Sequence, residues 1–209
     1  MKIASRSVTL FTLFISFLVL SPAAFGECGK ERWKVKVGQD EHVKYLFLNN
    51  DIAAGNLENP TVTTISQLHN KPYPFPSLTG RPPAWSYYQR ATSGGDNTEF
   101  TIWTITARLT EKKNEADEDY HLILKSQSKY MVAEIPSVNC VAQTVEPLKG
   151  MIIKARQDFD VWKSTHPGSN FNQRVRITGI GFFDRIHGAE GSAPNGIELH
   201  PVIKIEFLN

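Results

Sequence analysis

Between Val145 and Trp162 the chain reads VEPLKGMIIKARQDFDVW. From Leu148 onward, Ile152, Ala155, Phe159 and Trp162 follow at intervals of four or three. That spacing lines one face of a helix and leaves Lys154, Arg156, Gln157 and Asp158 to the others. Pro147 suits the first helical turn, and HPGSN (His166–Asn170) ends the segment. On both sides of this helix the period is two. Upstream, EFTIWTITARLTEKK (Glu99–Lys113) puts Trp103, Ile105, Ala107 and Leu109 on one face and threonines with Arg108 on the other, which predicts a strand. An acidic turn leads to DYHLILKS (Asp119–Ser126), a second strand, and SQSK links it to YMVAEIPS (Tyr130–Ser137), a third. Downstream, QRVRITGIGFFDR (Gln173–Arg185) reads as a fourth strand, with Gly179 and Gly181 marking a bend or bulge. IELHPVIKIEFL (Ile197–Leu208) is a fifth, with Ile197, Leu199, Ile203, Ile205 and Phe207 on one face.

The resulting order, β-β-β-α-β-β, is that of an OB-fold barrel. The expected class is therefore mainly β: a five-stranded OB-like barrel with one helix. A five-stranded sandwich with a packed helix is the alternative. Residues 1–26 read as a signal peptide, 27–95 as an irregular N-terminal extension packing on the barrel, and 96–209 as the OB-like domain. In the leader, Lys2 and Arg6 precede an apolar run from Val8 to Leu20, and Ala24-Phe25-Gly26 supplies a small-x-small cleavage site. The run is shorter than the roughly 20 residues a membrane helix needs. A secreted or periplasmic location is expected. In the extension, ERWKVKVG (Glu31–Gly38) suggests a short strand, and Thr63 or Thr64 a helix cap. Five prolines between Lys71 and Pro83 exclude helix and central strand there.

The formal charge of +2 resides in the leader, since Lys2 and Arg6 are its only charged residues. The remainder is balanced, so nonspecific nucleic-acid binding would need a local basic patch. Cys28 and Cys140 are the only cysteines, and in an oxidising compartment they are expected to pair.

DEDYHLIL, EIP followed by Cys140, KAR, GIGFFD and HGAEGSAPNGIELHPV resemble a family of small secreted bacterial proteins known only as uncharacterised. ERWKVKVGQD extends the likeness to most of the mature chain. The resemblance implies no activity.

Two segments carry candidate chemistry. EADEDYH holds Glu115, Asp117, Glu118, Asp119 and His121, hard donors suited to a divalent ion, without the glycine and spacing of an EF-hand. A solvated hairpin turn is the plainer account of it. In FFDRIHGAEGSAPNGIELHPVIKIEF (Phe182–Phe207), Glu198 and His200 are two apart and share a face, the outward one in a barrel. Gly188 and Gly191 let the loop fold back, bringing His187 and Asp184 toward them. His187, Glu198 and His200, with Asp119 and His121, are candidate metal ligands, for zinc, magnesium or calcium. Alternatively His200 is a catalytic base oriented by Glu198 or Asp184. The bland account has His200 and Glu198 bonding the loop backbone.

Arg108, Arg174 and Arg176 with Glu134 offer the residue types of a secreted OB-type nuclease, or of cross-strand ion pairs. Phe182 and Phe183 are candidate stacking residues and Asn195 a candidate ligand contact; Trp103 is better suited to the core. No G-x-S-x-G elbow, dinucleotide fingerprint or P-loop occurs. Three functions follow: a binding module for a nucleic acid or oligosaccharide, a metal-dependent hydrolase such as a nuclease, or a structural or interaction protein.

Overall fold

The computed structural model describes Cys28 and residues 32–43, 59–75, 90 and 97–209. The expected signal peptide, and Trp85, Tyr87 and Tyr88 of the proline-rich stretch, lie outside the described residues. The protein is mainly β, with one long helix. The strands are β1 (Thr61–Thr63), β2 (Ile102–Asn114), β3 (Tyr120–Ser126), β4 (Lys129–Ile135), β5 (Asn170–Phe183) and β6 (Ile197–Phe207). Helices lying wholly within the described residues are α1 (Trp33–Lys36), α2 (Ile65–His69) and α3 (Leu148–Thr165), with a 3-10 turn at Thr98–Phe100. From β2 onward the order is the expected β-β-β-α-β-β. No helix among the described residues is long and apolar enough to cross a membrane.

The strands form a mixed sheet in the order β1-β2-β3-β4-β6-β5, and β5 also pairs with β2. Each strand from β2 to β6 therefore has at least two partners. The β1–β2 and β4–β6 pairs are parallel and the others antiparallel. β1 is an element that the alternation of the sequence did not announce, because three residues are too few to show a period.

Alternating side chains build the main core. Trp103, Ile105, Ala107 and Leu109 of β2 are buried with Leu122, Leu124, Met131, Ala133, Val175, Ile177, Leu199 and Phe159. Outside this core a second cluster forms from Val37, Val43, Ile102, Cys140, Val141, Leu148, Ile152, Ile180 and Ile203. Helix α3 thus serves both: Leu148 and Ile152 in the outer cluster, Ala155 and Phe159 in the inner. This outer layer buries both faces of the first four residues of β2, so alternation shows only from Ile105 onward.

Two expectations need correcting. ERWKVKVG is not a strand: Trp33–Lys36 is one helical turn. Ile203 does not share a face with Leu199. Between Leu199 and Val202 β6 advances three residues while β5 advances two, from Gly181 to Gly179, and a second shift follows before Lys204. The bulge turns Ile203 to the outer cluster. Glycine is required at Gly181, where a Cβ would stand 2.2 Å from the Thr98 carbonyl oxygen. Thr64 does cap α2, in a reciprocal box with Gln67.

The N-terminal segment is fastened to the sheet covalently and ionically. A disulfide joins Cys28 to Cys140 across 112 residues. Arg32 and Glu99 form a bidentate pair, Nη1–Oε1 2.8 Å and Nη2–Oε2 2.5 Å, with the side chains 1% and 0% exposed. Arg32 also donates to the Phe183 carbonyl, and Glu99 accepts from the Phe183 amide at 2.8 Å. Beside it Arg90 pairs with Asp40 at 2.9 Å and donates to the Glu99 carbonyl. Breaking a buried pair from one side leaves a charge without compensation. Glu99→Ala is accordingly expected to lower unfolding free energy by about 3–5 kcal/mol, measured by urea denaturation with the disulfide intact.

Candidate functional site

The β2–β3 turn, the ends of β4 and β6, the β5–β6 loop and α1 meet around one cleft. Its volume is about 600 Å³, and Lys36, Glu115, Asp117, His121, Glu134, Asp184, His187 and Glu198 are among the residues that line it. His200 and Asp119 sit beneath, 0% and 4% exposed. The parallel β4–β6 pairing sets Val132 opposite Glu198 and Ala133 opposite Leu199, which draws Glu134 and His200 together. Asp119 ends the β2–β3 turn, where its Oδ1 accepts the Ser137 amide at 2.7 Å, leaving Oδ2 toward His200.

Around the His200 ring, Nδ1 lies 2.9 Å from Glu134 Oε2 and 3.9 Å from Glu198 Oε2, and Nε2 lies 3.5 Å from Asp119 Oδ2. Despite the short distance to Glu134, neither ring nitrogen makes a hydrogen bond, and Glu198 Oε2 and Asp184 Oδ1 are likewise buried without one. The carboxylates therefore surround the imidazole off the directions of its N–H bonds. The edge of the His200 ring meets Phe182, centroids 5.6 Å apart. One ligand atom each from Asp119, Glu134 and His200 falls within 4.8 Å of the others, a buried group that could hold a metal ion.

Second contacts frame this group. His121 Nδ1 lies 2.8 Å from Glu134 Oε1 and 3.4 Å from Glu115. His187, near the cleft mouth, meets Asp184 at 3.2 Å, and Lys36 meets the other Asp184 oxygen at 3.8 Å. Burial alone would lower the His200 pKa, but the charge of Glu134, and then the polar contacts with Asp119, Glu134 and Glu198, outweigh it and raise it well above the usual imidazole range. Burial pushes Glu198 up to about 7, helped by the charges of Glu134 and Asp184. Burial would likewise raise Glu134, yet His200, Lys36 and His121 hold it well below the usual carboxylate range. Lys36 is kept charged because Asp184, Glu134 and Glu198 overcome its burial.

Six residues singled out in the sequence, Asp119, His121, Asp184, His187, Glu198 and His200, thus come to one place. They do not form the set first drawn. His187 pairs with Asp184, and His187, His121 and Glu198 all lie outside the converging group, which Glu134 joins with Asp119 and His200. Glu198 and His200 do not face outward to solvent: they are 4% and 0% exposed. Glu134 had a visible signal, a carboxylate among the apolar residues of MVAEI. Lys36 had none, since nothing local in KVKVG points to β6.

The expected ligand contacts fare differently. Phe182 and Phe183 are 0% and 2% exposed, so neither ring is free to stack on a ligand. Phe182 instead packs under the Arg32 guanidinium, 4.7 Å from its centroid. Asn195 donates to the carbonyls of Leu68 and Lys71, tying the β5–β6 loop to α2. Arg108 and Arg174 lie on a different surface from Glu134, and Arg176 stands 3.8 Å from Glu206, so the arginine–carboxylate set does not assemble.

No protein-family model matches the sequence, and no curated protein does either. Among solved structures, a putative aspartyl-tRNA synthetase from Leishmania major Friedlin is similar at 15% identity and TM-score 0.38, over 72% of this chain and 21% of that one. The chain thus corresponds to about a fifth of that protein's length. An OBody bound to hen egg-white lysozyme is similar at 11% identity and TM-score 0.37, over 54% of this chain and 86% of that one. Likeness at this level transfers neither fold nor function.

Two carbonyls depend on Asn195. Asn195→Ala is expected to cost about 1–3 kcal/mol at roughly 1 ± 0.5 per hydrogen bond, read as a lower denaturation midpoint with unchanged slope.

Proposed function

We propose that this chain is a secreted or periplasmic protein built on an OB-like barrel, and that it is a metal-dependent hydrolase. Asp119, Glu134 and His200 hold one divalent cation beneath the cleft. The closed succession of pairings, β2-β3-β4-β6-β5 and back to β2, supports the barrel. The N-terminal apolar run and the disulfide support the compartment, and the quoted motifs support kinship with small secreted bacterial proteins.

One observation carries the metal reading: one ligand atom each from Asp119, Glu134 and His200 falls within 4.8 Å of the others, with all three side chains buried beneath the cleft. A cation at one ring nitrogen, with Asp119 and Glu134 closing on it, accounts for three buried donors that converge. The imidazole in the set favours zinc or a similar transition ion over calcium or magnesium, which prefer oxygen alone. Three protein ligands under an open cleft leave a position for water or substrate, the arrangement of catalytic rather than structural sites. Such an ion supplies Lewis acidity and a water that ionises near neutral pH. Lys36 is the cation at the cleft that would face an anionic substrate, which makes a phosphodiester the first class to assay.

Purified protein should contain close to one equivalent of metal by elemental analysis. Chelation should lower Tm, and re-addition of zinc at about a hundredfold over its dissociation constant should restore about 2.7 kcal/mol, roughly 5–11 °C for a chain of this size. Glu134→Gln should abolish both the metal content and the zinc-dependent Tm shift. Metal-free protein whose Tm ignores zinc, manganese and chelator alike would show a self-neutralised ion-pair network and end this reading. Hydrolysis of plasmid and RNA, with and without chelator, tests the activity separately.

A further inference from the structure

On the opposite-signed surface of the sheet, strand register brings four side chains into a single rank. Arg108 of β2 is directly opposite Lys125 of β3 and directly opposite Arg174 of β5. Lys125 is in turn opposite Tyr130 of β4. The rank Tyr130–Lys125–Arg108–Arg174 crosses four neighbouring strands, each step being one strand spacing of about 4.8 Å. Arg108, Lys125 and Arg174 line a groove of about 550 Å³ with Thr106, Asn172 and Gln127, and no carboxylate lines it.

Like charges set directly opposite one another in a sheet repel, so this rank is unfavourable for the isolated fold. The charges are not relieved internally. None of the three cations pairs with a carboxylate among the described residues; Arg108 donates to the Asn172 carbonyl and side chain instead. Glu111 and Glu190, which line a neighbouring pocket with Lys125 and Tyr130, pair with Lys113, and Glu206 pairs with Arg176 and Lys204. At the end of the rank Tyr130 is 38% exposed, one of the few large aromatic or aliphatic side chains open to solvent, with the Lys125 ammonium 5.2 Å from its ring centroid.

We infer that this groove binds a short single-stranded nucleic-acid segment running across the strands. Arg108, Lys125 and Arg174 contact successive phosphates and Tyr130 stacks on a base. A charged track with an aromatic platform at its end is the combination by which proteins hold single strands without reading their sequence. Even the overall charge balance is compatible, because the patch is local. The inference is independent of the metal: neither the groove nor the rank shares a residue with the cleft.

The test uses the mature full chain and a fluorescein-labelled oligothymidylate, followed by anisotropy across a salt series with chelator present. Binding should weaken with salt. Arg108→Gln combined with Arg174→Gln should reduce the slope of log affinity against log salt by about 1.4, two contacts at about 0.7 each. Tyr130→Ala should cost roughly 5- to 150-fold in affinity, and Tyr130→Phe should restore it. Because Arg108→Gln removes a like-charge opposition, its Tm should hold or rise, which separates lost binding from lost folding. Absence of binding at low salt overturns the inference. So does a Tyr130→Ala variant that binds as well as the parent while a sulfated polysaccharide competes with equal potency, which would mark a charge-only patch.

Discussion

Arg32 and Glu99 meet with neither side chain open to water, and much of the molecule is arranged by that meeting. The pair joins the N-terminal segment to the turn that opens β2 and, through the Phe183 backbone, to the end of β5. A charge taken from water must be compensated at once, and guanidinium and carboxylate do so only in bidentate geometry. The geometry therefore dictates where the segment lies. With Arg32 held, α1 begins at the next residue and presents Lys36, one turn on, to the cleft. The same guanidinium covers Phe182, whose ring in turn abuts His200. The disulfide from Cys28 to Cys140 anchors the segment from its other side.

That placement explains how several carboxylates can be buried together. Asp119, Glu134, Asp184 and Glu198 are each 9% exposed or less. Their mutual repulsion is offset by Lys36, by the His200 ring they surround, and by His121 and His187 at the edges. Glu198 carries the residue of that conflict, driven toward its protonated form by burial and by its neighbours. A divalent ion removes the conflict in one step, with two positive charges where the negative oxygens are densest.

The balanced composition conceals two surfaces of opposite sign. One is the carboxylate-lined cleft at the β2–β3 turn and the β5–β6 loop; the other is the cationic rank across β2, β3 and β5. They lie on different parts of the sheet and share no lining residue. Bulk charge, which argued against polyanion binding at the level of composition, averages over a separation that only folding creates.

Local periodicity was enough for the strands β2 to β6, the long helix and their order, since alternation and the 3.6-residue stripe are properties of neighbours in the chain. The pairing of Cys28 with Cys140 followed from there being two cysteines. The short elements β1 and α1 were illegible because so few residues show no period. The candidate residues near His200 were visible as types, but not their grouping. Whether Glu134 or His187 stands beside His200 is settled by the parallel β4–β6 register and by a bulge beside Pro201. Whether a cation stands near Glu198 is settled by Lys36, in an N-terminal segment far away in sequence. Burial, register and the assembly of charges are sums over distant residues, and no local stretch of sequence contains them.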